Sequence, residues 1–265
     1  MIISGSNEKI KNIRKLRIRK YRDETGLFFI EGSRIVIEAI QQKCDIRDLL
    51  YTSKYGQSKI GRQVLENAEM NRISSLELSE EVFQTISQKD NPQGIGAVIV
   101  QKWEKFQNLS QNLTGVWVGL VEVADPGNLG TIIRTCDATG ARGVLLIGNC
   151  TDPYDPTALR ASMGGIFTRE LVKMDIEEFQ KWAMNDQISV VGTSDAANYD
   201  YRECRYPKSM VLLMGSEREG LPSELQKVCD QTVSIPMEGK CDSLNLAVAT
   251  GVILYEILYQ HRKTN

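Results

Sequence analysis

Short apolar runs alternate with amphipathic stretches over most of the chain. Apolar runs bounded by Gly, Pro, Asn or Ser read as strands, and apolar positions three and four apart read as helices. The pattern predicts a helix over 7–22 with Ile10, Ile13 and Leu16 on one side, then strand 27–32 and helix 33–42. Strand 46–51, helix 60–69, strand 73–75, helix 79–87 and strand 95–100 continue the alternation. A second series runs through strand 116–121, helix 131–139, strand 143–147, helix 157–163, helix 176–184, strands 188–192 and 210–214, a short helix from Ser223, and strand 232–235. Two α/β domains follow, a small one over 1–102 and a second over 115–265 with a mostly parallel sheet. The Gln- and Asn-rich stretch 103–114 reads as a linker.

The last stretch, S-I-P-M-E-G-K-C-D-S-L-N-L-A-V-A-T-G-V-I-L-Y-E (Ser234 to Glu256), reads as a strand, a polar loop around Gly239 and a long helix carrying Ser243 and Asn245 in its first turn. The free N–H groups of a helix start suit both capping and ligand binding. Behind them the helix has almost no polar face from Leu246 to Leu254. It must lie against the domain core, a second subunit, or both. Ala247 and Gly251, four apart, would let another helix approach closely.

Composition narrows the function classes. With 265 residues, 42% hydrophobic and 25% charged, the chain can bury a core and is not expected to be disordered. The net charge of -2 argues against nucleic-acid binding by the whole surface, yet Lys9 to Arg22 holds eight basic residues and no acidic one. That run offers an RNA contact through Lys11, Arg14, Lys15, Arg17, Arg19, Lys20 and Arg22; the alternative is a solvated helix face. Six scattered cysteines without a C-x-x-C pair signal neither zinc nor disulfides, and no metal is expected. Absence of a signal-peptide pattern and of a bilayer-length apolar run predicts a cytoplasmic protein with no membrane contact. The single histidine, His261, excludes a Ser-His-Asp triad or a histidine metal site inside a pocket.

Three loops carry the candidate chemistry: D-P-G-N-L-G-T-I-I-R-T-C-D-A-T-G (125–140), L-L-M-G-S-E-R-E-G-L (212–221) and the S-I-P-M-E-G-K-C-D-S-L-N-L-A-V-A stretch. Each follows a predicted strand, so in a parallel sheet all three share the rim where α/β proteins bind ligands. Neither a Walker loop nor the Rossmann G-x-G-x-x-G spacing is present. Together and in this order, the loops resemble the signature of the SpoU/TrmH family of RNA ribose 2′-O-methyltransferases, of the SPOUT class. The resemblance rests on Asn128 and Arg134 in the first loop, on Gly215, Glu217, Gly220 and Leu221 in the second, and on Ser243, Leu244, Asn245 and Ala249 in the third. R-A-S-M-G-G-I-F (160–167) is similar to the family as well. F-I-E-G-S-R and N-P-Q-G-I-G-A-V resemble the small α/β substrate-binding domain often fused in front. Ser216 stands where many members have Asn.

The resemblance implies an α/β-knot methyltransferase domain with a trefoil knot, S-adenosylmethionine bound in the knotted loops, and a homodimer through the last helix and the helix around Arg134. It implies methyl transfer to a ribose 2′-hydroxyl of structured RNA, with 23S rRNA ahead of tRNA. The contrasting class is a non-catalytic RNA-binding or assembly protein of the same fold. The implied catalytic set is Asn128, Arg134, Glu217, Ser243 and Asn245. A guanidinium stays protonated, so Arg134 is read as gripping the phosphate beside the target ribose and holding the hydroxyl. Its structural alternative is an i,i+3 ion pair with Asp137. Asn128 hydrogen-bonds substrate or cofactor, or caps its helix; Glu217 orders Arg134 or the Ser243 loop, or is an exposed carboxylate; Ser243 and Asn245 orient the ribose or cofactor, or cap. Cofactor contacts are expected from Thr193, Ser194, Met214, Gly215, Ile235, Met237 and Leu244, and a further RNA contact from Arg160.

Overall fold

A computed structural model describes residues 1–2, 4–111, 113–185 and 188–263. The chain divides into two units, Met1–Gln101 with Tyr154–Leu159, and Lys102–Pro153 with Arg160–Asn265.

In the first unit, α1 (Glu8–Lys15), α2 (Arg19–Thr25), β1 (Leu27–Glu31), α3 (Ser33–Gln41), β2 (Ile46–Thr52), α4 (Ser53–Gln57), α5 (Lys59–Met70), β3 (Ser75–Leu78), α6 (Glu80–Ile86) and β4 (Ile95–Val100) follow in order. The sheet order is β1-β4-β2-β3, with β4 antiparallel to both neighbours and β2 parallel to β3. Ile10, Ile13 and Leu16 pack on Leu50, Leu78, Val82, Phe83 and Val98, so the apolar side read from the sequence is the buried one. The single helix expected over 7–22 is two helices, because Ile18 is extended at φ -101° and ψ 127°. Arg17 in that break donates to the carbonyls of Thr85 and Ser87, at the C-terminal end of α6. The third strand begins at Ser75 rather than Ile73. Arg72 takes a left-handed φ of 56° and the Ile73 amide closes the end of α5 on Ala68 O, so Ile73 belongs to the helix exit.

The second unit contains α7 (Phe106–Gln111), β5 (Val116–Val121), α8 (Pro126–Thr139), β6 (Gly143–Ile147), the end of α9 (Pro156–Ser162, whose residues up to Leu159 group with the first unit), a 3₁₀ turn (Gly165–Phe167), β7 (Glu170–Met174), α10 (Ile176–Asn185), β8 (Val190–Thr193), β9 (Tyr199–Asp200), β10 (Met210–Met214), α11 (Ser223–Gln226), β11 (Gln231–Ser234) and α12 (Leu246–Lys263). Its sheet runs β7-β6-β5-β10-β8-β11-β9 with every pair parallel. Strands β5, β6 and β10 are buried throughout, as central parallel strands covered on both faces must be. Part of the stretch read as a linker is α7, whose Leu109 and Phe106 pack into the core with Trp117 and Trp182.

Helix α8 starts five positions before the expected 131. Asp125 caps it by accepting from the Asn128 amide at 2.6 Å, and Pro126 sits at the first helical position. The D-P-G triplet is a helix start here, not a turn.

Candidate active site

Strand β10 ends at Met214, and the chain reverses at once through a tight hairpin in which Ser216 and Gly220 exchange backbone hydrogen bonds, both 3.1 Å. Gly215 is required, because a side chain there would overlap the Gly220 carbonyl carbon. Gly220 turns the chain with φ +66°. The hairpin carries Glu217 to the first turn of α8, where its carboxylate accepts from Asn128 Nδ2 at 2.9 Å and from the Ala124 amide at 3.4 Å.

Asn128 is thus not the cap of α8; it sits inside the first turn and faces two other loops. Its Oδ1 accepts from Asn245 Nδ2 at 2.9 Å. Asn245 in turn caps α12, its Oδ1 accepting from the amides of Ala247 and Val248 at 3.0 and 3.3 Å. The amide orientations follow from chemistry. An ionised carboxylate only accepts, so Asn128 presents its NH₂ to Glu217 and its oxygen to Asn245, whose own oxygen is left for the helix amides. Partial burial pushes the Glu217 pKa up. The bond from Asn128 and the backbone donors outweigh it and hold the carboxyl below the ordinary glutamate range.

Two expected partnerships are corrected. Among the described residues Glu217 bonds to Asn128 and the Ala124 amide, and makes no hydrogen bond or ion pair with Arg134 or the Ser243 loop. Ser243 lies before α12 rather than in its first turn, with its hydroxyl 3.2 Å from Asp242 Oδ1. The reason is the helix start: Asn245 accepts the amides that a cap must satisfy, which leaves Ser243 outside.

Arg134 stands two turns along α8 from Asn128, exposed, with no hydrogen bond or ion pair among the described residues. The i,i+3 pair with Asp137 does not form. The Asp137 carboxylate is taken by Thr168 Oγ1 at 2.5 Å and Arg169 Nε at 3.3 Å.

Beside this network lies a cavity of about 620 Å³, a size suited to a small-molecule cofactor. Thr193, Ser194, Met214, Gly215, Ile235, Met237 and Leu244 all line it, together with Glu217, Ser243 and Asn245. Its other walls include Leu221 of the second motif, and Asp195, Asp242 and Ile253, which the loop motifs did not single out. Asp195 and Asp242 neighbour residues that were named, so sequence position was the available signal. The Thr193 hydroxyl donates to Leu213 O and the Ser194 hydroxyl accepts from the Ala196 amide, so both serve the local backbone. Met237 and Leu244 stay more than a third exposed and offer apolar faces to a flat ring. Carboxylates and apolar walls together fit a ligand with a planar base and cationic groups.

The basic run of the first unit differs from expectation. Arg22 is 2% exposed and donates to Leu16 O at 2.8 Å, which removes it from any RNA-facing surface. Its burial is part of the turn from α1 into α2. Arg14 donates to Gly5 O and Arg17 to the end of α6. Lys11 pairs with Glu8, Arg19 with Asp23 and Lys20 with Glu24, while Lys15 lies near Asn12 and over the Tyr21 ring. Arg160 is exposed on α9.

On α12, Leu246, Ala247, Thr250, Ile253, Leu254 and Ile257 face inward. Gly251 faces α8, where a side chain would meet Thr135 at 3.9 Å, so the close helix approach predicted from the small residues is within the chain. Val248, Tyr255 and Tyr259 form an apolar stripe more than half exposed on the opposite side. Among the described residues, no group of His, Cys, Asp or Glu is arranged to hold a metal, and no helix is long and apolar enough to cross a membrane.

Known proteins share this arrangement. Residues 115–255 match the SpoU rRNA methylase family, and residues 7–97 match the MRM3-like substrate binding domain. The chain is similar to the 23S rRNA (guanosine(2553)-2′-O)-methyltransferase RlmP of Bacillus subtilis, with 29% identity covering 97% of this chain and 98% of that protein. It is 30% identical to the 23S rRNA (uridine(2479)-2′-O)-methyltransferase of Streptomyces viridochromogenes, over 91% of this chain and 86% of that one. Among solved structures, the AdoMet-bound rRNA methyltransferase of Sinorhizobium meliloti superposes with a TM-score of 0.88 at 38% identity, covering 98% of this chain and 97% of that one. With three signature loops joined on one rim and the family's model matched over residues 115–255, more than half of the chain, the chain belongs to the SpoU rRNA methylase family.

Proposed function

We propose that this protein transfers a methyl group from S-adenosylmethionine to a ribose 2′-hydroxyl of ribosomal RNA. The observation that carries the reading is the hydrogen-bonded chain Glu217–Asn128–Asn245, whose two ends line the 620 Å³ cavity, with Arg134, which has no partner among the described residues, on the same helix as Asn128. The Bacillus and Streptomyces relatives are named as 23S rRNA 2′-O-methyltransferases, and the Sinorhizobium neighbour is described as AdoMet-bound.

Bound S-adenosylmethionine supplies an electrophilic methyl on a cationic sulfonium. Thr193, Ser194, Met214, Gly215, Ile235, Met237 and Leu244 would hold it, and the carboxylates of Asp195 and Asp242 in the same lining would suit its positive groups. Arg134 grips the phosphate next to the target ribose with its planar fork and holds the hydroxyl in line. A guanidinium cannot take the proton, so a phosphate oxygen or water accepts it. Asn128, Glu217 and Asn245 act by fixing where α8 presents Arg134, and Ser243 is free to meet the ribose. Such positioning can lower a barrier by about 7–11 kcal/mol in well-oriented cases.

The same reading assigns residues 1–102 to RNA binding, 103–114 to the connection and 115–265 to methyl transfer. Lys11, Lys15, Arg19, Lys20 and Arg160 are its exposed RNA-contact candidates. Strand β10, late in the chain, lies between β5 and β8, which supports a trefoil-knotted path of the kind that general topology rules make rare. The stripe Val248, Tyr255 and Tyr259 is read as a homodimer face. Six cysteines outside any disulfide among the described residues, with Cys136 and Cys229 thiols pushed up to about 12 by burial, suit a cytoplasmic setting.

The test is incubation with methyl-labelled S-adenosylmethionine and separate rRNA and tRNA pools, followed by alkaline hydrolysis. Alkali-resistant label in rRNA is expected. Resistant label in tRNA alone would move the substrate to tRNA, and alkali-labile label in both would exclude ribose methylation.

A further inference from the structure

Asp137 lies three residues after Arg134, the spacing at which opposite charges on a helix pair. Left free, its carboxylate would neutralise Arg134 where a phosphate has to bind. It is not left free. Thr168 Oγ1 donates to Asp137 Oδ1 at 2.5 Å, and Arg169 Nε lies 3.3 Å from the same oxygen. Arg169 is itself anchored, its Nη1 donating to Ala141 O at 2.9 Å just past the end of α8. The turn that carries both residues lies close against α8 because Gly165 lacks a side chain. A Cβ there would stand 3.2 Å from Ile133 O and 3.4 Å from Arg134 Cα. Gly164 enters the turn with φ 97°, a conformation that favours glycine.

We propose that Arg169 and Thr168 are positioning residues that sequester the Asp137 carboxylate and so keep the Arg134 guanidinium unpaired for the RNA phosphate. This rests on the reading of Arg134 as the phosphate grip. The device costs little in structure, because the Arg169 side chain that closes the end of α8 through Ala141 O also joins Thr168 on Asp137 Oδ1 and so engages the competing anion. It also explains why a helix with an acid one turn from its functional arginine leaves that arginine without a partner.

The experiment is a double-mutant cycle on the full chain with rRNA transcribed in vitro, reading kcat/KM for RNA and Kd for S-adenosylmethionine. Arg169→Gln keeps a donor for Ala141 O and removes the charge. It is expected to lower kcat/KM about two- to fivefold, the range that corresponds to one exposed ion pair, with cofactor Kd unchanged. Asp137→Asn alone is expected to leave turnover near wild type. Arg169→Gln with Asp137→Asn is expected to recover it, since the released side chain can no longer pair with Arg134. Thr168→Val gives the same cycle with a smaller first loss, should Arg169→Gln fold poorly. A loss that Asp137→Asn does not reverse, or no loss in either first variant, overturns the proposal. Arg134→Ala separates the two levels: if it keeps wild-type turnover the phosphate grip fails and the sequestration with it, whereas an inactive Arg134→Ala beside a flat cycle rejects sequestration alone.

Discussion

The basic run of the first unit and the single arginine of α8 invert what the sequence suggests about them. Lys9 to Arg22 carries eight cations without an acid between them, yet in the structure each has a partner. Glu8, Asp23, Glu24 and Asp48 answer four of them, and backbone carbonyls take three more. Arg134 has an acid three positions away and no hydrogen bond or ion pair among the described residues, while Asp137 is engaged by Thr168 and Arg169. Charge counted along a chain measures how much is present, whereas function depends on how much is left unpaired in space.

Breaking the network that steadies Arg134 should have the largest effect. Asn128→Asp would keep an acceptor for Asn245 Nδ2 but replace the donor to Glu217 with a second carboxylate facing it. The like charges and the lost bond are expected to cost about 1–3 kcal/mol of stability, seen as a lower Tm, with at least a tenfold fall in kcat. An unchanged Tm and kcat would mean that the three loops are held by other contacts.

The apolar stripe is the next point of attack. On the proposed homodimer reading, wild type should sediment as a dimer and Val248→Asp with Tyr255→Asp as a monomer; a wild type that sediments as a monomer, or a variant that sediments as wild type, would contradict the reading of this stripe as a dimer face. The pH response of Glu217 is subtler. Its folded pKa is depressed, so its contribution is full above the ordinary glutamate value and is lost as pH falls through the lower, folded one. The stability difference between wild type and Glu217→Gln should therefore be flat at neutral pH and shrink only in acid. A difference that changes between pH 6 and 8 would contradict the depressed value. The smallest effects belong to the basic run, where Lys20→Ala or Arg19→Ala should alter stability by less than about 1 kcal/mol. Each should also reduce the salt dependence of RNA binding by roughly one counterion. Equal slopes for both variants and wild type would place the RNA elsewhere.

Much of this arrangement was legible in the residues. The strands β4, β5, β6 and β10 are dense apolar runs, and their boundaries follow directly from Pro, Gly and Asn punctuation. The seven cofactor-loop residues named by position line one cavity because parallel strands deliver their following loops to one rim. Strands β7 and β9 were not legible, since E-L-V-K-M and Y-D are short edge segments with little apolar signal. The start of α8 was misplaced because Asp-Pro-Gly serves equally as a turn and as a helix N-terminus. Pairings across distant loops had no local signature: nothing in the sequence says that Asn128 meets Glu217 and Asn245, or that Arg169 takes Asp137 from Arg134. Nor could Arg22 be told from its neighbours in the charge run, though it alone is buried.

The most direct test of the account compares Arg134→Lys with wild type on rRNA in a single-turnover assay with methyl-labelled S-adenosylmethionine, alongside cofactor binding by calorimetry. Lysine keeps the charge and removes the fork. The account predicts unchanged cofactor Kd, alkali-resistant label from wild type, and a rate at least about 10²-fold lower in the variant, the scale of a lost transition-state contact. Full activity in Arg134→Lys would contradict it.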